Sequence, residues 1–473
     1  MIAAIARRPV GVEVAAVAIG LWSAAVALAP DTAVAIALTA PAVVLCIGWW
    51  AVLAAHRWLM LLFAVALLTP PLPFPIGTAG PHLAPAAALL GLFIGVLRLS
   101  EWKPVRGGLS AMLAVFLLFL LASVAAAALY SGPAVAAGSL ARVALLGISV
   151  YVFVYTSAGP PSGADPVRLT GILFGMGVIA AAFACIDFYY QLPAPAGYGA
   201  QFVWLDTGVF KRAQGLFYEA STLGNFCAFF IVMIVVALFF PAGYRPVKRG
   251  YLVAGGAVFC AALILSYSRA SVVNVVIALS ALAYIRRIRM RRLFAVVLAS
   301  GGIAAIAVFA FLPTFATSYW LRLSASFEYF WSTPNAVLSG RLTTWATLLN
   351  LLAAEPWHAL FGIGYKTLPL SDIAGAPVIA DNTYLSLLVE TGVAGLAVFV
   401  TLNLAILAVS LRSARSINPR AAFFGSWIFC FWTGQMVQML SGDLITYWRV
   451  LPVYFWVLAV AVRESCRDEH PLR

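Results

Sequence analysis

Apolar runs of about 20 residues alternate with short polar or Pro/Gly-rich breaks along nearly all of the 473-residue chain. A helix that crosses the hydrocarbon core of a bilayer needs roughly 20 apolar residues, and its backbone amides must be hydrogen-bonded within the segment. The pattern therefore predicts an all-α polytopic membrane protein with about 14 transmembrane helices, within a range of about 12–14. Their approximate centres lie near residues 20, 43, 66, 90, 120, 147, 179, 231, 258, 278, 303, 400, 430 and 454.

The composition agrees with this interpretation. Hydrophobic residues make up 64% of the chain, charged residues 10%, and the mean hydropathy is +1.01. A soluble domain carries roughly a quarter charged residues. The net charge of +13 would suggest nucleic acid in a soluble protein, but Lys and Arg also accumulate in the cytoplasmic loops of membrane proteins. We therefore expect contact with membrane lipids, no nucleic-acid partner and, because the six cysteines and four histidines lack ligand-like spacing, no metal site.

The Lys and Arg residues also predict an orientation. If the N-terminus lies in the cytoplasm and the spans alternate, 21 of the 29 Lys and Arg residues fall on the cytoplasmic side, with both termini. The other eight fall on the outer side: Arg142, Lys211, Arg212, Arg269, Arg322, Arg341, Lys366 and Arg449. Ionisable groups near the membrane are costly and often functional. Arginine is permanently charged and binds phosphate oxygens in pairs, so an outward arginine cluster suits an anionic lipid diphosphate.

Motif content and loop length divide the chain into four parts. These are N-terminal scaffold helices (1–157), helices that carry arginine motifs (158–312), a long outer loop (313–382), and C-terminal helices with a short tail (383–473). The long loop precedes the third-last span. Its segments 319–331 and 341–354 are amphipathic, and their aromatic residues suit the membrane interface. A long structured loop is usually functional.

Four stretches on the predicted outer side carry candidate chemistry. They are KRAQGLFYEASTLGNF (211–226), LSYSRAS (265–271), SGRLTTW (339–345) and ADNTYLSLLVETGVAG (380–395). Gly215 in the first allows close backbone approach, and the third predicts a Ser or Gly cap followed by a helix. Arg269 interrupts two apolar runs, so it either binds an anion or extends to the headgroups. Asp443 and Arg449 either complete the charge cluster or pair with each other.

The order and spacing of these stretches resemble the O-antigen ligase and O-antigen polymerase superfamily of bacterial membrane glycosyltransferases, over about residues 205–450. The matching positions are Arg212 and Gly215, Ser268 and Arg269, Ser339 to Arg341, Gly362 and Gly364, Asp381 and Asn382, and Glu390 to Gly392. The resemblance implies a multi-pass protein of the bacterial inner membrane with its active site on the periplasmic face. His358 resembles part of a structural turn before the Gly-x-Gly stretch, and no catalytic role is implied for it.

The resemblance also implies a reaction. A glycan linked to undecaprenyl diphosphate is transferred to a glycan or lipid-linked acceptor, without a metal or other cofactor. The implied catalytic residues are Asp381, Arg269 and Arg212, with the arginines holding the diphosphate and Asp381 as candidate base. The substrate-binding candidates are Arg341, Lys211, Asn382, Tyr267, Glu219, Arg449 and Asp443. A partner protein that regulates chain length stays open.

Family members typed as ligases carry His where this chain has Asp381, so the sequence favours a polymerase of O-antigen or exopolysaccharide repeat units. A ligase that transfers the glycan to lipid A core is the alternative. A lipid-linked oligosaccharide flippase is an alternative from another class. The sequence shows no duplication of two halves, and its ionisable residues gather at one predicted face, both of which disfavour a transporter.

Overall fold

The computed structural model describes residues 20–23, 26, 28–72, 81–103, 107–160, 163–193, 198–205, 208–286 and 331–466. Between 302 and 329 it describes only 302–303, 305–311, 313, 317, 320–321, 324 and 328–329. The predicted helix at 319–331 and the candidate Arg322 therefore lie largely outside the described residues. The chain divides into two units, Met1–Trp58 and Leu59–Arg473, and the residues of the candidate site lie in the second.

The described residues are predominantly helical. The α-helices are α1 Thr32–Val52, α2 Arg57–Leu68, α3 Ala84–Leu97, α4 Gly108–Ser131, α5 Pro133–Ala158, α6 Pro166–Tyr190, α7 Ala220–Phe239, α8 Arg249–Leu265, α9 Arg269–Arg286, α10 Pro334–Val337, α11 Arg341–Ala354, α12 Pro356–Phe361, α13 Thr383–Ala414, α14 Pro419–Gln438 and α15 Leu451–Cys466. Polar side chains at the N-cap start several of them. Asp165 accepts from the backbone of α6, and Asn418 accepts from the first turn of α14.

The hydrophobic pattern located the helices well. Each predicted centre from residue 43 to 278, and those near 400, 430 and 454, lies in a described helix. Within the described part of the chain, α4, α5, α6, α7, α9 and α13 are long and apolar enough to cross a membrane. The chain is therefore a multi-pass helical membrane protein, whereas the total of about 14 spans stays a prediction. The long loop contains the predicted helix at 341–354, with Gly340 at its N-cap.

One short β-hairpin that the sequence did not predict lies within this helical fold. Strands β1 Phe202–Leu205 and β2 Gly208–Lys211 pair antiparallel, with Phe202 opposite Lys211 and Leu205 opposite Gly208. They lie in the connection between α6 and α7. The sequence FVWL combines aromatic and β-branched residues, and both types favour strands. The hairpin leads directly into the first arginine motif.

Helix α7 lies inside the bundle. In the 18-residue apolar stretch of α7, 89% of the residues are buried, whereas 28–44% are buried in the corresponding stretches of the other long apolar helices. Phe229 packs against Trp427 and Tyr454, with ring centroids 4.5 and 4.3 Å away. The Asn225 amide donates to Gln438 Oε1 at 2.9 Å and accepts from the Tyr454 hydroxyl at 2.8 Å. Such hydrogen bonds between helices tie α7 to α14 and α15 where water cannot satisfy polar groups.

The basic residues at one end of the bundle are tied to neighbouring helix ends. Arg286 at the end of α9 donates to the Ala422 carbonyl in α14 at 2.9 Å. Arg463 in α15 donates to the Thr156 carbonyl in α5 at 3.1 Å. These two arginines are among the 21 Lys and Arg residues that the predicted topology places on the cytoplasmic side. The motif stretches lie at the other ends of the same helices, at the start of α9 and between α14 and α15.

Candidate functional site

The first arginine motif packs against the turn that begins the second. The Arg212 Nε donates to the Ser266 carbonyl at 2.9 Å, and the Ala213 amide donates to the Leu265 carbonyl at 2.9 Å. Gly215 has a φ of +53°, and a Cβ there would lie 2.6 Å from the Ala184 Cβ. The close approach expected at Gly215 is therefore present. Because of these contacts, the half-buried Arg212 lies beside the turn that carries Arg269.

The second motif connects to the third. Arg269 is the first residue of α9, and its Nη2 donates to the Val337 carbonyl at 2.7 Å, at the end of α10. The preceding Ser268 hydroxyl lies 2.8 Å from the Ser271 hydroxyl, which in turn accepts from Gln438 Nε2 at 3.0 Å. The start of α9 is thus held to α14 by buried polar contacts. Arg269 extends to the segment that leads into Arg341.

The third motif connects to the fourth. Arg341 is the first residue of α11, and its Nε lies 3.2 Å from Oδ2 of Asp381. The Trp345 indole donates to the Ala380 carbonyl at 2.8 Å, so α11 is fixed to the residues just before α13. The Arg341 and Asp381 side chains are 26% and 47% exposed, so solvent reaches this ion pair. Asp381 itself has a φ of +47°.

The Gly-x-Gly stretch packs against a break in α13. Gly392, with a φ of +72° and ψ of −178°, interrupts the helix. Its neighbours Val389 and Glu390 lose helical partners for their carbonyls, and the amides of Ile363 and Gly364 donate to them at 3.1 and 2.8 Å. A Cβ on Gly392 would lie 2.1 Å from the Leu360 carbonyl oxygen. These two motif stretches thus form one backbone junction between the long loop and α13.

A buried ion cluster lies at the same junction. The Lys366 ammonium donates to the Asp443 carboxylate and lies 3.9 Å from Glu390 Oε2. Lys366 and Glu390 are fully or almost fully buried. Burial lowers the pKa of Lys366, but the charges of Asp443 and Glu390 outweigh burial and raise it above its ordinary value. Sequence reasoning did not pair these residues. The sequence did show that Lys366 lies on the predicted outer side and that Glu390 lies within an apolar helix, and two such buried or near-membrane charges could have been paired.

Three predicted substrate-binding residues are engaged by the protein itself. Buried Lys211 lies 3.2 Å from Asp187 Oδ1 and donates to the Leu192 carbonyl at 2.7 Å. Asn382 is the N-cap of α13 and accepts the amides of Tyr384 and Leu385. Arg449 donates to the backbone carbonyls of Ala66, Leu216 and Thr69. Lys211 and Arg449 are therefore already bound to groups of the protein, and they connect the segments around α2, α6 and α7.

Arg449 and Asp443 do not form the pair that the sequence left as an alternative. Asp443 pairs with Lys366, whereas Arg449 is surrounded by carbonyls and lies over the Phe217 ring, with Cζ 5.4 Å from its centroid. Burial lowers the pKa of Arg449 to about 10. Tyr267, also a predicted binding residue, is buried in the turn between α8 and α9 with a φ of +57°.

Glu219 lies among charges from the other motifs. It is the N-cap residue of α7, but its carboxylate does not cap the helix and instead accepts the Thr222 hydroxyl at 2.6 Å. Burial raises the pKa of Glu219, the Asp443 and Asp381 carboxylates raise it further, and Thr222 and Arg212 lower it in part. These interactions place Glu219, Arg212, Asp381 and Asp443 in one electrostatic neighbourhood.

The connection between α14 and α15 contributes Asp443 to this charged region. The Thr383 hydroxyl donates to the Gly442 carbonyl at 2.7 Å and accepts the Leu444 amide at 3.1 Å, which fixes the start of α13 beside Asp443. The pKa of Tyr447 is raised well above its ordinary value, mainly by burial and also by Glu219. Across the part of the chain that the structure describes, no group of three His, Cys, Asp or Glu side chains is placed to hold a metal ion.

Comparison with known proteins identifies one family. Residues 254–400 match the O-antigen ligase family. This range includes the second, third and fourth motifs, and the match supports membership of the O-antigen ligase and polymerase superfamily. Searches of curated proteins and of solved structures found no significant match.

Proposed function

We propose that this protein is a glycosyltransferase that polymerises undecaprenyl-diphosphate-linked oligosaccharide repeat units into a cell-surface polysaccharide. The observation that carries the proposal is the continuous connection of the four motifs. Arg212 contacts the turn before Arg269, Arg269 contacts the segment before Arg341, and Arg341 pairs with Asp381. Residues far apart in sequence thereby form one charged region at one end of a membrane bundle. The O-antigen ligase match supports the same chemistry.

The proposed role of the arginines follows from the leaving group. When the glycosidic bond to the diphosphate breaks, negative charge develops on the phosphate oxygens. Fixed cations directed at that charge lower the barrier because they are already oriented before the reaction. Arg212, Arg269 and Arg341 start or flank helices and are held by backbone or carboxylate contacts. In this proposal they hold the diphosphate at the periplasmic face.

The acceptor hydroxyl must lose a proton as it attacks the sugar. A carboxylate within hydrogen-bond reach of the hydroxyl can take that proton. Among the described residues, the four motifs contribute two carboxyl groups outside the buried Lys366 cluster, Asp381 and Glu219. The Asp at position 381, where ligase-type relatives have His, supports polymerisation over transfer to lipid A core. The ligase remains the second candidate within this class.

One observation favours a transporter. Transporters often use helices that are broken near a substrate site, and α13 is broken at Gly392. The carbonyls of Val389 and Glu390 near this break, however, accept amides of the long loop. The break therefore anchors the loop, and this supports transfer over transport.

The experiment uses the full-length protein, purified and reconstituted in liposomes with a lipid-linked repeat unit. We expect a ladder of lengthened lipid-linked glycans. Transfer to added lipid A core, without a ladder, would instead identify a ligase. Movement of the donor across the bilayer with no new glycosidic bond would contradict the proposal and favour a flippase. The Arg269→Ala variant, at equal protein amount, checks that product depends on the site.

A further inference from the structure

The two carboxyl groups at the site are held in different ways. Asp381 is 47% exposed and its Oδ2 lies 3.2 Å from the Arg341 Nε. Glu219 is more deeply placed, and among the described residues its side chain has one hydrogen bond, from the Thr222 hydroxyl at 2.6 Å. That bond uses Oε2, so Oε1 makes no hydrogen bond to the described protein. Glu219 therefore keeps an oxygen that can accept a proton from a bound molecule.

The position of Glu219 is fixed from two sides. It stands at the start of α7, seven positions after Arg212, and the Ala220 amide that follows it donates to Gln201 Oε1 at 3.0 Å. On the other side, the buried Tyr447 side chain lies near Ser221 in the first turn of α7. These contacts hold the carboxyl group between the arginine motif and the α14–α15 connection.

Within the described residues, charged and titratable groups from three segments act on Glu219. Arg212 lies before α7, Asp381 before α13, and Asp443 and Tyr447 between α14 and α15. Two carboxylates and one guanidinium therefore act on it. Lys366 pairs with Asp443, and Arg341 pairs with Asp381, so both neighbouring carboxylates have a cation of their own. Glu219 has no ion pair within 4.0 Å among the described residues.

We infer that Glu219 is the catalytic base for the acceptor hydroxyl, and that Asp381 is a positioning residue that orients Arg341. This inference rests on the proposed glycosyltransferase function. It changes the role that the sequence suggested for Asp381. The reason is geometric: the Arg341 guanidinium lies 3.2 Å from Asp381, whereas among the described residues the Glu219 carboxylate has no cation within ion-pair distance and accepts a single hydroxyl.

The proposed step balances in atoms and electrons. The Glu219 carboxylate takes the proton of the acceptor hydroxyl, and the oxygen lone pair forms a bond to the anomeric carbon of the donor sugar. The bond from that carbon to the diphosphate oxygen breaks, and its electron pair leaves with undecaprenyl diphosphate. The arginines stabilise the charge on this leaving group. Product release then returns the proton from Glu219 to water.

Burial supports the choice between the two carboxyl groups. A general base works best when its pKa approaches the working pH, and burial raises the pKa of Glu219. Asp381, in contrast, is already paired with the Arg341 guanidinium at 3.2 Å. The difference between the two environments assigns proton transfer to Glu219 and charge alignment to Asp381.

The test compares Glu219→Gln and Glu219→Asp with Asp381→Asn in the reconstituted assay. We expect Glu219→Gln to lower kcat by about 100-fold or more, within the range typical of general-base removal. The affinity for undecaprenyl diphosphate itself should stay within about twofold, since the arginines remain. Glu219→Asp should recover part of kcat. Glu101→Gln, at an exposed acid in the turn after α3, is the matched control.

The pH profile separates a base from a structural residue. Wild-type kcat should rise with pH through the raised pKa of Glu219, and the residual activity of Glu219→Gln should lack that rise. Asp381→Asn should keep it. The inference would be overturned if Glu219→Gln kept the kcat of the wild type. It would also be overturned if Asp381→Asn, and not Glu219→Gln, lost the rise of kcat with pH. No transfer by the wild-type protein with any lipid-linked donor would overturn the proposed function as well.

Discussion

Arg341 and Asp381 form an ion pair between the first residue of α11 and the residue before the N-cap of α13. The Nε–Oδ2 distance is 3.2 Å, although the residues are 40 positions apart in sequence. Exposed pairs of this kind contribute only about 0.2–1 kcal/mol to stability because water and salt screen them. The pair is therefore better explained by orientation of the Arg341 guanidinium than by stability.

Replacement of Asp381 tests that explanation. Asp381→Asn should lower the free energy of unfolding by less than about 1 kcal/mol, since the pair is partly exposed and Asn tolerates a φ of +47°. Its rate of chain lengthening should nevertheless fall clearly. Thermal unfolding in detergent and the liposome assay measure the two effects. A loss of stability well above 1 kcal/mol would show that the pair has mainly a structural role.

Arg269 should be the most sensitive cation. Arg269→Ala should reduce transfer by about 10²–10³-fold, as removal of one group that stabilises transition-state charge does elsewhere. Arg269→Lys should recover only part of the activity, because lysine cannot reproduce the planar guanidinium. The liposome assay measures both at equal protein amount. Arg420→Ala, which removes an exposed arginine near Asp165 at the opposite end, is the control and should keep full activity.

The Lys366 cluster should contribute strongly to stability. Lys366→Met leaves two carboxylates buried without their cation, and removal of one partner from a buried pair costs about 3–5 kcal/mol. The expected result is a large drop in the unfolding midpoint. Neutralising both carboxylates in the same chain, with Asp443→Asn and Glu390→Gln, should restore part of it. Equal midpoints for wild type and Lys366→Met would contradict the cluster.

The break in α13 requires glycine. Gly392→Ala places a Cβ in the left-handed region and against the Leu360 carbonyl, so it should destabilise the protein by at least about 1–3 kcal/mol. Gly147→Ala in α5 is the matched control, because a Cβ at that position would have no atom of another described segment within 4 Å. That control should be neutral or slightly stabilising in a helix. A comparable loss in both variants would refute the junction.

Stability should depend on pH through Glu219. Folding raises the pKa of Glu219, so the folded chain binds this proton more tightly than the unfolded chain. The resulting contribution to stability is complete below the ordinary glutamate pKa of about 4.3 and is lost as pH rises through the folded pKa. Unfolding midpoints between about pH 4 and 8 should therefore fall more in wild type than in Glu219→Gln. Parallel curves would contradict the raised pKa.

The long apolar runs of the sequence were sufficient to predict the positions of most described helices. A run of apolar residues in lipid must satisfy its own backbone, and only a helix does so within one segment. The positions of the described helices, the helix beginning at Arg341 and the close approach at Gly215 could therefore be predicted from local sequence. The hairpin in the α6–α7 connection was missed because short strands leave a weak signal among apolar helices.

The partners of the charged residues could not be predicted in this way. The sequence placed Arg212, Arg269, Arg341 and Asp381 at one predicted face, but not in the order of contacts that joins them. Nor could it separate cations that face the site from Arg449, which is surrounded by three carbonyls from two segments.

The sequence by itself determined that this chain is a helical membrane protein, and it predicted a set of arginines on the outer side, because hydrophobic length and charge act locally along the chain. Only the tertiary structure decided which of those charges are neutralised within the protein. Lys366 is held by Asp443 and Glu390, and among the described residues Glu219 has a single hydroxyl donor. Such pairings depend on which helix ends meet, and contacts across hundreds of residues set that geometry.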